Sequence, residues 1–170
     1  MKRIGFGQVE PNHLSAQRNG KIYAQLPAQE DIKVLENGMF VKYDYENNCV
    51  NFSGDGEWML VLNEVKLYDD AWRESYKDFA LQASKHSAGV MVPRVMKTDI
   101  GDIYTTNCLV AGNTSGSVEV DMGEVAVGDT FVPSATGYLV KGESGDLVWK
   151  VVKVYTMPDG QDGVKLQRIK

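Results

Sequence analysis

Apolar and polar residues alternate along most of this chain in short runs broken by glycine, asparagine and aspartate, the period-2 signature of half-buried β-strands. Over residues 32–65 the runs are 32–35, 39–45, 49–52 and 58–65, punctuated by Glu36-Asn37-Gly38 and Glu46-Asn47-Asn48. Asn37-Gly38 is the strongest local turn signal, because both residues tolerate positive φ. A second series follows at 90–96, 103–110, 117–120, 128–132, 138–140, 147–155 and 163–169, again separated by glycine-rich turns. Within it, 158–163 reads as a hairpin loop, with Val164, Leu166 and Ile169 expected to face a core opposite Val152 and Val154.

One phrase is used twice. Val-Leu-Glu-Asn-Gly-Met-Phe-Val at 34–41 and Val-Ala-Val-Gly-Asp-Thr-Phe-Val at 125–132 each place a turn before Phe-Val, and each is followed by a further β-prone run. The expected fold is therefore mainly β, built as two small β-barrel or sandwich units. Residues 69–83 are the one stretch with helical spacing: Trp72, Tyr76, Phe79, Ala80 and Ala83 share a face, and Asp69 or Asp70 can cap its start. The organisation predicted is an extended N-terminal arm over 1–30, a first β module over 31–85 with a short helix near 70–83, and a second β unit over 86–170. The arm is rich in Gln, Asn and Gly and holds no period for long, so it is expected to bury little against its own chain. Its apolar residues Phe6, Leu14, Ile22, Tyr23 and Leu26 have little reason to be there unless they dock on something.

Composition narrows the function classes. The 170 residues, 43% hydrophobic and 24% charged, are those of an ordinary globular protein rather than a disordered one. The net charge of −5 comes from interspersed acids and bases, so the basic face that a nucleic-acid reader needs is missing. The longest apolar run is the five residues 58–62, far short of the ~20 that span a bilayer. No signal-peptide core interrupts the polar start, which predicts a soluble protein made in a cytoplasm. Cys49 and Cys108 fit either one bridge or two free core thiols, and a reducing compartment favours free thiols.

Candidate chemistry is sparse. A Ser, Cys or Thr nucleophile needs a base, and the two imidazoles, His13 and His86, fall in the arm and in the connector near 85–89. Gly-x-Ser-x-Gly, Walker-type and dinucleotide-binding glycine patterns are all missing. Asp55, Glu57, Asp69, Asp70, Asp99 and Asp102 could in principle pair as a glycosidase acid and base, but closeness in sequence does not set the required separation, and loop acids are ordinarily solvated. Asp55-Gly56-Glu57 and the 159–162 loop lack EF-hand spacing. The expectation is a protein without catalytic residues, metal or cofactor.

The runs 125–132, 147–160 and 164–167 together resemble the small β-rich structural proteins of tailed-phage virions, and 35–44 is similar to the opening of capsid decoration, or cement, domains. The resemblance implies a non-enzymatic virion protein on the capsid surface that binds the assembled shell. Its partner would then be the major capsid protein, with Phe6, Leu14, Ile22, Tyr23 and Leu26 as shell contacts and self-association as a further possibility. A head-fibre or host-attachment adaptor is the alternative within the same class. A small sugar-processing β-barrel enzyme and a nucleic-acid-binding module are the alternatives outside it.

Overall fold

The computed structural model describes residues 6–10, 22–23, 26–63, 80–85, 90–110, 124–158 and 160–170, with 22, 23 and 85 described by backbone alone. The described strands are β1 (Val9–Glu10), β2 (Ile22–Tyr23), β3 (Val34–Glu36), β4 (Phe40–Asp44), β5 (Cys49–Asn51), β6 (Met59–Val61), β7 (Ala80–Gln82), β8 (Val95–Met96), β9 (Ile103–Thr106), β10 (Thr130–Pro133), β11 (Leu139–Lys141), β12 (Trp149–Thr156) and β13 (Asp162–Arg168). The fold is mainly β. One sheet runs β1-β9-β13-β12-β10-β11, a second runs β2-β8-β6-β4-β5, and β3 pairs with β7 alone. All three sheets are antiparallel and open, so the architecture is a sandwich rather than a closed barrel.

The two larger sheets are the same design used twice. Leaving β1 aside, β9-β13-β12-β10-β11 repeats β2-β8-β6-β4-β5 strand for strand, and the register matches residue to residue. Phe40↔Leu60 and Val41↔Met59 correspond to Thr130↔Lys150 and Phe131↔Trp149. Lys42↔Asn51 and Tyr43↔Val50 correspond to Val132↔Val140 and Pro133↔Leu139. Ile22↔Met96 and Tyr23↔Val95 correspond to Ile103↔Gln167 and Tyr104↔Leu166. After its first strand each repeat crosses to the far edge of its own sheet, where isolated parallel bridges join Ala28 to Val50 and Leu109 to Leu139. There Gln29 N and Val110 N donate to the carbonyls of Val50 and Leu139, each at 3.0 Å.

The phrase seen in the sequence is one piece of this duplication, displaced by a residue. Gly38 N donates to Val61 O (3.0 Å) and Val61 N to Met39 O (2.8 Å); Gly128 N donates to Val151 O (2.9 Å) and Val151 N to Asp129 O (2.8 Å). Both glycines have φ near +100°, a region that side-chain-bearing residues avoid. Gly38 therefore stands with Gly128, and Phe131 answers to Val41 rather than to Phe40. The Gly38 turn does not close a hairpin, because β3 pairs with β7 and not with β4.

Burial follows from the layering. In the β2-β8-β6-β4-β5 sheet, Phe40, Leu60 and Met96 enter one core cluster, while Val41, Met59, Val61 and Val95 enter a second. Both faces of that sheet are thus covered, which is why β6 is apolar at every position rather than alternating. The first cluster also contains Tyr104, Phe131, Trp149, Val151, Val164 and Leu166 from the other sheet, so the two repeats share one core. Trp149 sits at its centre, with its ring 4.7 Å from Tyr104 in an edge-to-face contact and 6.0 Å from Phe40. Strands from both sides of residue 85 meet in one ladder, since β8 pairs with β6.

Three expectations change. The 69–83 helix falls mostly outside the described residues, and its described end is extended: Ala80–Gln82 is β7, followed by a 3-10 turn at Ala83–Lys85. Pairing of β7 with β3 satisfies that backbone in a ladder instead. In the last hairpin Val164, Leu166 and Val154 do face the core, but Val152 and Ile169 are solvent-exposed. Val152 points outward by ordinary alternation from buried Trp149 and Val151, a β-bulge between Val151 and Lys153 shifts the phase by one residue so that Val154 returns to the core side, and Ile169 lies beyond the end of β13. Finally, the described parts of 1–30 do bury against their own chain: β1 pairs with β9, β2 pairs with β8, and Pro27 O accepts from Val50 N at 2.8 Å.

Candidate interaction surfaces

The joint between the repeats is built on the Asn37-Gly38 turn. A Cβ at Gly38 would lie 2.6 Å from Cys108 Cβ and 2.8 Å from Thr106 Oγ1, so the turn rests flush on the end of β9. Next to it Phe40 N donates to Gly137 O at 2.7 Å. Gly137, with φ 81°, leaves no room for a side chain against Phe52 and the Phe40 carbonyl. Glu36 is only 3% exposed and is satisfied from two directions: Gly7 N donates to Oε2 at 2.6 Å, and Tyr138 Oη donates to Oε1. Asn107 continues the seam, accepting from Gln8 N (2.8 Å) and donating to buried Gln161 Oε1 (3.3 Å). Buried polar groups are tolerated when paired in this way, and their geometry fixes how repeat 1, repeat 2 and residues 7–10 fit together.

The corresponding turn of repeat 2 is open. Ala126 N donates to Asp129 Oδ2 at 2.9 Å and Lys141 Nζ lies 2.9 Å from the same oxygen. The backbone bond from Ala126, with the Lys141 hydrogen bond next, holds the Asp129 carboxyl below the usual aspartate range. A second open feature is a cleft of about 470 Å³ lined by Pro27, Ala28, Gln29, Glu30, Asn47, Asn48 and Cys49. Burial pushes the Cys49 thiol up, so it stays neutral near pH 7. Both cysteines are free.

The third surface is the outer face of the six-stranded sheet. Lys153 and Lys165 sit directly opposite each other, an arrangement that repels unless something intervenes. What intervenes is Tyr155, whose ring centroid is 5.4 Å from Lys153 Nζ and 6.0 Å from Lys165 Nζ. Its hydroxyl lies 2.7 Å from Glu10 Oε2 and 2.8 Å from Thr105 Oγ1, and burial raises its pKa. Lys150 is exposed on the same side. Lys150, Lys153 and Lys165 form no ion pair with a described residue, although the chain as a whole is acidic.

Of the residues singled out in the sequence, Phe6 is half-buried, and Leu26 packs on the second core cluster. Ile22 and Tyr23 are strand β2, in repeat 1 where Ile103 and Tyr104 stand in repeat 2. Leu14, His13, His86, Asp69 and Asp70 lie outside the described residues. Among the described residues no group of three or more His, Cys, Asp or Glu side chains has the geometry to hold a metal ion. Sequence reasoning missed the Glu36–Tyr138 contact, which joins distant residues without any local pattern. It also passed over a readable signal: Gly-x-Ile-Tyr occurs at 20–23 and again at 101–104, one copy at the start of each repeat. No protein-family model, curated protein or solved structure matches this chain.

Proposed function

We propose that this chain is a non-enzymatic structural protein of a phage virion, a decoration protein that binds the outer surface of the assembled capsid and stabilises it. The observation that supports this reading most is the outer face of the six-stranded sheet, where Lys150, Lys153 and Lys165 form no ion pair with a described residue although the chain carries a net charge of −5. A shell of identical major capsid subunits that presents carboxylates suits such a face. Binding to the assembled shell and not to dissociated subunits favours the shell by mass action.

The lattice contact is assigned to the outer face carrying Lys150, Lys153 and Lys165, whose ammonium groups await carboxylates. Particles lacking the protein are expected to break at lower temperature and milder osmotic shock than complete ones, and added purified protein to restore them. Charge reversal at the three lysines should lower occupancy on the particle at 0.15 M salt. Equal resistance of particles with and without the protein would overturn the reading, as would salt-sensitive retention of the free protein on duplex DNA with no retention on particles.

A further inference from the structure

The joint between the repeats has two halves, and a spare copy of each half is left over. Within the chain, the 36–40 turn of repeat 1 seats in a cleft of repeat 2 formed by Cys108, at the end of the first strand, and by Gly137 and Tyr138, at the hairpin tip. The register carries these positions across. In repeat 1, Cys108, Gly137 and Tyr138 become Pro27, Asn48 and Cys49, and Asn48 shares the left-handed backbone of Gly137 (φ 53° and 81°). In repeat 2, Glu36, Gly38 and Phe40 become Ala126, Gly128 and Thr130.

Neither spare half is occupied by a described residue of the chain. Pro27, Asn48 and Cys49 line the open cleft of about 470 Å³. At Gly128 an added Cβ would meet nothing within 4 Å, whereas at Gly38 it would collide with Cys108. Val127 stands 66% exposed at the tip of that turn, where Asn, Asp or Gly is the ordinary choice and where repeat 1 has Asn37. The chemistry of the two spare halves has also changed in step. The buried joint pairs a carboxyl, Glu36, with a phenol, Tyr138; at the equivalent positions the spare turn has Ala126 and the spare cleft has Cys49, so neither would leave the other with an unpaired buried polar group.

We propose that the protein associates head to tail with a second copy of itself. The 126–130 turn of one molecule seats in the cleft lined by Pro27, Asn48 and Cys49 of the next, repeating between molecules the contact that the repeats make within one. Such a contact is heterologous: it closes into a ring if the rotation allows and otherwise extends as a filament. It is independent of the capsid reading, because it requires only this chain.

The test uses the purified full chain in sedimentation velocity over a wide concentration range. The mean mass of the wild type rises with concentration. Val127→Arg disables the turn and Gln29→Trp fills the cleft; both side chains are exposed, so circular dichroism and the melting temperature stay at wild-type values. Each variant alone needs at least tenfold higher concentration to associate. An equimolar mixture of the two retains one intact turn and one intact cleft, so it recovers dimers and stops there. A wild type that stays monomeric throughout, a Val127→Arg chain that associates as the wild type does, or a mixture no more associated than its components would each overturn the proposal.

Discussion

Gly38 and Gly128 occupy the same position in the two repeats, with φ 98° and 100°, yet their surroundings differ completely. Replacing each with alanine separates the cost of the backbone from the cost of the joint. A Cβ at such a φ costs about 1–3 kcal/mol in either repeat. At Gly128 that is the whole cost, because the space around it is empty. At Gly38 the new methyl group would also stand 2.6 Å from Cys108 Cβ and 2.8 Å from Thr106 Oγ1, both at the buried end of β9. Overpacking of this kind adds about 1–3 kcal/mol, since neither neighbour can swing away. Gly38→Ala is therefore expected to be less stable than Gly128→Ala by about 1–3 kcal/mol, or roughly 2–12 °C in melting temperature for a chain of this size. Urea denaturation with both variants at equal m reads the difference directly. Equal destabilisation by the two substitutions would refute the claim that the repeats are joined through the Gly38 turn.

Four further outcomes follow from particular residues. Tyr138→Phe removes a hydrogen bond to buried Glu36 and should cost about 1–3 kcal/mol in urea unfolding, and an unchanged midpoint would detach Glu36 from the joint. Tyr104 is fully buried with no hydrogen-bond partner for its hydroxyl among the described residues, so Tyr104→Phe should leave stability unchanged or raise it by up to about 1 kcal/mol; a loss above 2 kcal/mol would mean the hydroxyl is satisfied. Burial also places the Tyr104 pKa well above the usual tyrosine value, so absorbance titration should show this phenol ionising only as the protein unfolds in alkali. Asp44 is held below the ordinary aspartate range by the Asn47 side chain and backbone, and Asp129 by Ala126 and Lys141. Depressed folded values mean that their contribution is complete above the ordinary aspartate pKa and is lost as pH falls through the lower folded ones. Asp44→Asn combined with Asp129→Asn should accordingly lose less stability than the wild type between pH 6 and pH 2, and an identical loss would contradict the assignment.

The joint gives the duplication a consequence beyond symmetry. Two repeats of equal topology have diverged where they touch: Glu36, Gly38 and Phe40 are buried, while Ala126, Val127 and Gly128 are exposed. Residues 7–10 reinforce the buried copy, through Gly7 on Glu36, Gln8 on Asn107 and β1 on β9. Among the described residues, the Lys-bearing face, the turn of repeat 2 and the cleft lined by Pro27, Asn48 and Cys49 stay open.

Local chemistry was enough to make the chain mainly β, to locate most of its strands and to place positive-φ turns at Gly38 and Gly128, because alternation and glycine act over a few residues. Composition left Cys49 and Cys108 as either one bridge or two free thiols, and the fold keeps both free and buried. Tertiary structure decided the rest. Strand order and register show that Ile22-Tyr23 and Ile103-Tyr104 begin equivalent repeats; the shared Gly-x-Ile-Tyr hints at it in the sequence, but the pairing partners that establish it are far apart in sequence. Only the fold could extend Ala80–Gln82 as a partner for β3, because that ladder joins strands far apart in sequence, and only the register of the β12–β13 hairpin shows the bulge that puts Val152 and Val154 on opposite faces. The repeated phrase fixed the conformation of both turns; whether a turn is buried at a joint or exposed to a partner depends on what the other repeat places beside it, and that is a property of packing rather than of the turn.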